Sequence, residues 1–260
     1  EVKYSIKKIS TMPRDRFKVS LKNLSLELRT GEILGIAGLA GNGQAELMDV
    51  LSGESLSETA GSIEMKGQII GHMGPEKRRN LGLGFVPEER LGHGAVPEMS
   101  LWENGFLTAA RGQGLMVNGF IKTEKAKIFA MDVIKRFNVK TAGVENLATS
   151  LSGGNLQKFI VGREIDQNPK VLIVIQPTWG VDAGSAAFIH QALVDLAVKG
   201  TAILLITQDL DELFAVSDRI MVMCEGRLSK VQLATETTLE QIGLLMGGSP
   251  NGHLHAEYAP

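Results

Sequence analysis

The chain has 260 residues, a formal net charge of -2 at pH 7, 43% apolar residues and 22% charged residues. A chain of this length can bury a full hydrophobic core, as one large domain or two small ones. The near-balanced charge argues against a polyanionic partner such as nucleic acid, and the apolar runs are far shorter than the ~20 residues that span a bilayer.

The start of the chain and its cysteine bear on its setting. The sequence has no charged-then-apolar leader. It begins at Glu1 in place of methionine, which suggests that it starts inside a longer chain. Residues 1–16 are polar and mixed, and we interpret them as a linker or an entering strand. Cys224, the single cysteine, lies in an apolar strand pattern and is predicted to be a buried thiol in a reducing, cytoplasmic setting.

A strand, a glycine-rich loop and a helix follow one another early in the chain. Alternating apolar residues over 17–28 predict a strand with a turn or bulge at Asn23. A shorter strand over 32–38 runs into residues 38–45 (GLAGNGQA), called here the glycine loop, and a helix is predicted over 46–51. A phosphate-binding loop requires this order of strand, loop and helix.

The glycine loop keeps the frame of a phosphate loop and lacks its charge. In a working loop, GxxxxGK[ST], backbone N–H groups hold the phosphates, the lysine reaches the β and γ oxygens, and the hydroxyl ligates magnesium. Here Gln44 replaces the lysine and Ala45 the hydroxyl. Losing one charge-assisted hydrogen bond costs roughly 1.5–3 kcal/mol, so we expect weak or no nucleotide binding at this loop. The candidate nucleotide contacts are Gly38, Gly41, Asn42, Gly43, Gln44 and Ala45.

Two alternatives to a degenerate phosphate loop remain. The glycines can form an ordinary strand-to-helix turn, and the missing lysine favours that interpretation. A dinucleotide-binding loop fits less well, because the third glycine of its pattern is absent.

Short apolar strands alternate with helices over the rest of the chain. Residues 62–70 predict a hairpin and 82–87 a strand, and 122–137 have helical spacing within a segment, about 95–147, that we interpret as an inserted helical lobe. Later strands are predicted over 171–175, 202–206 and 220–223, and later helices over 183–198, 210–216 and 237–246. This alternation favours an α/β fold whose parallel sheet is covered on both faces.

Residues 150–158 (SLSGGNLQK) place small residues at the start of a helix. Ser152 offers a hydroxyl, and Gly153 and Gly154 allow close approach to backbone N–H groups, which together suit phosphate oxygens. The alternative is that these residues only cap the helix.

LSGGNLQK resembles the signature motif of ABC-type ATPases, and QPTWGVD, residues 176–182, resembles the segment where that family's Walker B strand passes into its D-loop. GIAGLAGNGQ, FVPEER and MSLWEN are similar to importers for simple sugars and nucleosides that fuse two nucleotide-binding domains, the second of which this chain resembles. The resemblance covers residues 17–246. It implies a P-loop NTPase (RecA-like) parallel-sheet core, an N-terminal antiparallel β subdomain and an inserted helical subdomain at about 95–147.

Carried over by position, the resemblance implies that the chain has no catalytic residue and no metal ligand. Ile175 and Gln176 replace the family's magnesium-holding aspartate and catalytic glutamate. Glu88 replaces the Q-loop glutamine, and Gln208 the histidine that senses the γ-phosphate. Phe17 either stacks on adenine or packs in the core. The chain is therefore expected not to hydrolyse ATP at its own loop.

The implied mechanism is asymmetric. A homologous first domain, expected in the same full-length chain, would hold ATP and magnesium. Ser152, Gly153 and Gly154, called here the signature turn, would close over its γ-phosphate, with Gln157 as a further candidate contact. Transmembrane permease subunits would bind the helical lobe at the cytoplasmic face of the membrane, and no nucleic-acid partner is expected.

Two alternative functions stay open. A soluble ABC-type ATPase is one alternative and predicts basic patches or long coiled-coil insertions, neither of which the sequence has. A non-hydrolytic regulatory domain is the other. Trp179 differs from the arginine common in these relatives, with no consequence that the sequence reveals, and the tail over 247–260 is expected to be loose, with His253 and His255 solvated.

Overall fold

Two large sheets and a helical lobe make up the fold, in a computed structural model that describes residues 1–12, 18–57 and 59–248. Phe17, His253 and His255 lie outside the described residues. The strands are β1 (Val2–Ile9), β2 (Leu24–Arg29), β3 (Ile33–Ala37), β4 (Ile63–Met65), β5 (Gln68–Ile69), β6 (Leu83–Val86), β7 (Met116–Val117), β8 (Phe120–Ile121), β9 (Val171–Ile175), β10 (Ala202–Thr207), β11 (Arg219–Cys224), β12 (Arg227–Leu228) and β13 (Gln232–Leu233). The helices are α1 (Gln44–Ser52), α2 (Pro75–Asn80), α3 (Leu101–Ala109), α4 (Thr123–Arg136), α5 (Gly153–Asp166), α6 (Ala183–Val198), α7 (Leu210–Val216) and α8 (Leu239–Met246).

The first sheet is antiparallel and has the order β2-β1-β4-β5. Of the two interpretations of the start of the chain, the structure shows the entering strand, β1, with Ile6 buried in it. The strand predicted over 17–28 is shorter than expected, because Asn23 has a φ of 54° and interrupts the extended backbone just before β2. Lys66 and Gly67, both with positive φ, turn the predicted hairpin between β4 and β5.

The second sheet confirms the predicted α/β fold with a parallel core. Its order is β12-β11-β3-β10-β9-β6, with β13 beside β11. β11, β3, β10, β9 and β6 run parallel, whereas β12 and β13 are antiparallel to β11. β3, β9 and β10 are buried along their whole length, as strands covered on both faces must be.

Alternate side chains of the parallel strands enter two hydrophobic clusters. In β10, Ile203 and Leu205 belong to the cluster that contains residues of α5 and α6. Leu204 and Ile206 belong to the cluster that contains α1 and the antiparallel sheet. Each such buried side chain stabilises the fold by roughly 1.5–3 kcal/mol. Since alternate side chains enter different clusters, the strands hold the two layers together.

α3, the β7–β8 hairpin and α4 form the helical lobe within residues 95–147. α3 begins at Ser100, whose hydroxyl accepts from the Glu103 N–H at 3.3 Å while the Glu103 carboxylate accepts from the Ser100 N–H at 2.8 Å. This capping box is what fixes the start of the helix. Leu101 is fully buried, so it is lobe core. The partly buried apolar residues of the lobe include Met99, Trp102 and Met116.

Cys224 lies in β11 and is buried, as predicted. Burial raises the pKa of its thiol, so the thiol stays protonated at neutral pH and is a poor nucleophile. None of the helices in the described part of the chain combines the length and the apolar character needed to cross a bilayer.

Candidate functional site

The carboxyl ends of β3, β6, β9 and β10 meet at one edge of the parallel sheet, where open α/β sheets place their ligands. The glycine loop follows β3 there, Gln176 follows β9 and Gln208 follows β10. Gly41 and Gly43 have φ angles of 80° and 112°, a backbone conformation that other residues seldom adopt. Gly43 caps α1 without any side-chain acceptor, so the first N–H groups of the helix face the loop, as in anion sites.

Gln44 folds back onto the glycine loop. Its Nε2 donates to the Leu39 carbonyl at 2.8 Å, and its Oε1 accepts from the Asn42 N–H at 3.1 Å. The side chain is only 9% exposed, and a Cβ on Gly38 would lie 2.4 Å from its Nε2. The amide therefore uses a backbone donor that a phosphate would need, and it places no charge in the loop.

Asn42 ties the glycine loop to the turn between β11 and β12. Its Oδ1 accepts from the Glu225 N–H at 2.8 Å, and its carbonyl accepts from the Gly226 N–H at 2.8 Å. Its Nδ2 donates to the Leu39 carbonyl at 3.0 Å. The Asn42 side chain, predicted to contact nucleotide, thus stabilises the glycine loop by holding it to this turn.

A pocket of about 160 Å³ lies over the glycine loop and brings the predicted degenerate positions together. Glu88, Ile175, Gln176 and Gln208 all line it beside the loop residues. Glu46 of α1 also lines it and accepts a hydrogen bond from the Val19 N–H. Among the described residues that line this pocket there are two carboxylates and no lysine, arginine or histidine. We call it the loop pocket.

Gln176 is held in the loop pocket by the neighbouring strand. It has a φ of 50° and is buried, and its Oε1 accepts from the Thr207 hydroxyl at 3.3 Å and from the Gln208 N–H at 3.4 Å. Its own N–H donates to the Ile206 carbonyl at 2.8 Å. An amide held in this way carries no proton that titrates near neutral pH, so it is unsuited to act as a general base.

The signature turn lies apart from the loop pocket, since none of its residues lines that pocket. Ser152 caps α5, and its hydroxyl accepts from the side-chain Nδ2 of Asn155 at 2.9 Å. Ser152 and Gly153 are nevertheless exposed, and Gly154 is partly exposed. The turn therefore caps its helix and still presents a hydroxyl and helix N-terminal N–H groups to solvent.

Gln157 does not reach the exposed face of the signature turn, contrary to its prediction as a nucleotide contact. It is 1% exposed, because residues 156–165 of α5 are all buried in the fold. Its Oε1 accepts from Arg90 Nε at 3.1 Å. Sequence reasoning missed Arg90, although the residue ends the FVPEER motif.

The segment that resembles a D-loop is anchored by a buried carboxylate. Glu212 of α7 accepts from the Thr178 hydroxyl at 2.7 Å and lies 3.0 Å from His190 Nε2 of α6. Trp179, next to Thr178, is 66% exposed. Asp182 accepts from the Ser185 hydroxyl at 2.7 Å and, as the cap of α6, from the Ser185 N–H at 2.9 Å, and these two hydrogen bonds lower the pKa of its carboxyl.

In the part of the chain that the structure describes, no three His, Cys, Asp or Glu side chains come together as a possible metal site.

Comparison with known proteins places these features in a family. The family model described as "ABC transporter" matches residues 21–178. The chain is 40% identical to the nucleoside import ATP-binding protein NupA of Lactococcus lactis subsp. cremoris, over 91% of this chain and 47% of that protein. It is 38% identical to the guanosine import ATP-binding protein NupO of Bacillus subtilis, over 88% and 45%. It is also 38% identical to the ribose import ATP-binding protein RbsA of Clostridium perfringens, over 90% and 46%.

Solved structures agree on the fold. The chain superposes with a TM-score of 0.76 on the dimeric ATP-binding cassette MJ0796 in a post-hydrolysis state bound to ADP and Pi, at 19% identity, covering 89% of this chain and 98% of that one. This likeness confirms the predicted P-loop NTPase fold. The chain spans about half the length of the curated relatives it matches.

Proposed function

The chain belongs to the ABC transporter family, and from that membership we propose that it is one nucleotide-binding domain of an importer ATPase for a nucleoside or a simple sugar. The family's domains bind ATP or ADP. These relatives are named as import proteins for nucleosides, guanosine and ribose, which supports the substrate class. They also favour transport over a soluble ATPase that serves another process.

The loop pocket carries the second part of the proposal, which is that this domain does not hydrolyse ATP at its own glycine loop. A triphosphate would meet the carboxylates of Glu46 and Glu88 without a cation to offset them. Gln44 would have to leave its bonds to Leu39 and Asn42 before a phosphate could take them. Gln176 offers no base for an attacking water.

The signature turn supplies the positive part of the proposal. Its exposed hydroxyl and N–H groups suit the γ-phosphate of ATP held, with magnesium, by a homologous partner domain. That partner is proposed to lie in the same full-length chain, because the relatives are about twice as long as this one. The dimeric cassette among the structural neighbours supports a paired arrangement.

The same proposal covers the remaining partners. Transmembrane permease subunits would bind at the helical lobe, so the domain would be peripheral to the cytoplasmic face of the membrane. Closure and reopening of the paired domains would drive those subunits. No nucleic-acid partner is proposed, in line with the net charge of -2.

A purified sample of this chain tests the claim about the glycine loop. We expect no MgATP turnover above a protein-free blank, because Gln44, Ala45 and Gln176 replace the lysine, the magnesium-binding hydroxyl and the catalytic glutamate of a working site. Release of inorganic phosphate is the measurement. Steady magnesium-dependent turnover that disappears in Gln44→Ala or Gln176→Ala would contradict the proposal.

A non-hydrolytic regulatory domain is the second candidate function. The Gln44 side chain, bonded within the glycine loop, favours this function as much as the first. The two functions differ in the role of the signature turn, which contacts nucleotide only if the chain is a domain of an importer ATPase. Substitution of Ser152 in the assembled ATPase separates them, since a purely regulatory domain would keep normal turnover.

A further inference from the structure

Arg90 lies in a rigid turn that follows β6 and connects the parallel sheet to the helical lobe. The Gly94 N–H donates to the Glu89 carbonyl at 2.9 Å, and the Ala95 N–H donates to the Arg90 carbonyl at 2.6 Å. A Cβ on Gly94 would come within 3.0 Å of both carbonyls, so glycine is needed there to close the turn. The Arg90 side chain therefore starts from a fixed backbone.

The Arg90 side chain is also fixed in direction. Its Nε donates to the buried Gln157 Oε1 at 3.1 Å. A Cβ on Gly153 would lie 2.7 Å from Nη1, and a Cβ on Gly180 would lie 3.4 Å from Nη2. The guanidinium is thus held between the signature turn and the end of the segment that resembles a D-loop, and both neighbours are glycines that leave room for it.

The charge of Arg90 is not matched by a neighbour. Among the described residues, no hydrogen-bond or ion-pair partner contacts its Nη1 or Nη2. The other described arginines that are buried or partly buried, in contrast, all donate to carboxylates or carbonyls. They are Arg78, Arg79, Arg163 and Arg219. Burial lowers the pKa of the Arg90 guanidinium, but an arginine remains charged at neutral pH.

We propose that Arg90 is an anion-binding residue of this chain, and that its two terminal nitrogens contact the phosphate end of the nucleotide that the partner domain holds against the signature turn. The inference rests on the function proposed above. It adds a cation to a face that otherwise offers only neutral donors, namely the Ser152 hydroxyl and the N–H groups of Gly153 and Gly154. A planar guanidinium suits phosphate, because it can donate two parallel hydrogen bonds.

Substitution of Arg90 in the assembled ATPase, with this chain and its partner domain together, tests the inference. Arg90→Gln should raise the KM for MgATP about tenfold, since it removes a charge-assisted hydrogen bond. The KM of Arg90→Gln should also rise less steeply with salt concentration than that of the wild type, because the charge that salt would screen has been removed. Arg90→Lys should lie between the two, as it keeps the charge and loses the fork.

Two references make the outcome specific. Arg29→Gln removes an exposed arginine of β2, far from the signature turn in the fold, and should leave KM unchanged. Ser152→Ala measures whether the signature turn itself is used. If Ser152→Ala raises KM and Arg90→Gln does not, the inference about Arg90 is overturned and the proposed function stands. If neither changes KM or turnover, the proposed function itself fails.

A folding defect is controlled separately. Thermal unfolding of Arg90→Gln should match the wild type within a few degrees. Should that variant fail to fold, Arg90→Lys decides, and an unchanged KM in a folded lysine variant would overturn the inference. Gln157→Met, which frees Arg90 Nε and keeps the charge, should raise KM by a smaller factor than Arg90→Gln.

Discussion

Gln44 is the residue on which the chemistry of the glycine loop depends. A lysine at this position would extend towards the phosphates, whereas the shorter glutamine amide bonds to the Leu39 carbonyl and the Asn42 N–H. The loop is thus stabilised from within. Its frame persists because Gly41, Gly43 and the Asn42 tether to Glu225 set the backbone independently of any ligand.

Restoring the cation should restore part of the affinity. We expect Gln44→Lys to bind a fluorescent ATP analogue about tenfold more tightly than the wild-type chain, because a charged donor contributes roughly 1–2 kcal/mol more than a neutral one. Titration of the purified chain measures it. Gln44→Met, which has no donor, is the control and should show no gain. A wild-type affinity already equal to that of the lysine variant would contradict the account.

Single residues show both the reach and the limit of sequence reasoning. The resemblance singled out Glu88, Gln176 and Gln208, and the structure places them in one pocket because the parallel strands they follow end at one edge of the sheet. The burial of Gln157 could not be predicted, because α5 is buried on nearly all sides by tertiary packing. Its partner Arg90 lies 67 positions away, and no local pattern reports such a contact.

At the scale of elements, α1 depends on a residue from the next helix. Arg78 of α2 is fully buried and donates to the carbonyls of Val50 and Leu51 at 2.7 and 2.8 Å, in the last turn of α1. It also donates to Met73, while the Tyr4 hydroxyl donates to the Leu51 carbonyl at 2.9 Å. A cation at a helix C-terminus is favoured, and here it satisfies carbonyls that the helix leaves open.

Removing Arg78 should loosen α1 and the antiparallel sheet together. We expect Arg78→Met to lower the free energy of unfolding by about 3 kcal/mol, because several buried carbonyls lose their donor. Urea denaturation measures the change. Lys77→Met alters the neighbouring, exposed position of the same helix and should change stability by under about 0.5 kcal/mol. Equal effects of the two variants would refute the capping role.

α5 joins the sheet to the helical lobe through buried charges. Arg163 donates to the Asn104 carbonyl of α3 at 3.2 Å and to Glu164 at 3.2 Å. Glu164 also accepts from Arg79 of α2 at 2.7 Å. Burial acts to raise the pKa of Glu164, but the guanidiniums of Arg79 and Arg163 together hold it below its ordinary value.

Glu164 should therefore make stability sensitive to acid. Since its pKa is lower in the folded state, the stabilisation is complete above the ordinary carboxyl pKa of about 4.3 and is lost as the pH falls from there through the folded-state value. Glu164→Gln should cost about 3 kcal/mol at pH 7, and the difference from wild type should shrink below about pH 4. Urea unfolding at several pH values measures this. Glu76→Gln, at an exposed ion pair with Arg111, should cost under about 1 kcal/mol at every pH.

Elements were predictable where apolar runs or helical periods were uninterrupted. β9, α6 and α7 have the predicted bounds, because a buried parallel strand and an amphipathic helix each leave a clear pattern. β1 could not be decided, since its exposed and buried residues do not alternate regularly. The predicted range of β2 began too early, because apolar residues such as Leu21 are buried outside any strand.

At the scale of the whole molecule, the loop pocket and the signature turn differ in charge and in exposure to solvent. The loop pocket has two carboxylates and no cation among its described lining residues, and Gln44 occupies the donors of its loop. The signature turn is open to solvent, and beside it Nη1 and Nη2 of Arg90 have no hydrogen-bond partner among the described residues. A domain built in this way is proposed to receive a nucleotide from a partner rather than to hold one.

The most direct test of this proposal is the turnover of MgATP by the full-length ATP-binding protein, measured for Ser152→Ala and Gln44→Ala in parallel. The account predicts that Ser152→Ala lowers turnover at least tenfold, because the partner-held γ-phosphate loses a donor in the closed state. It predicts near wild-type turnover for Gln44→Ala. Normal turnover in Ser152→Ala together with loss in Gln44→Ala would contradict it.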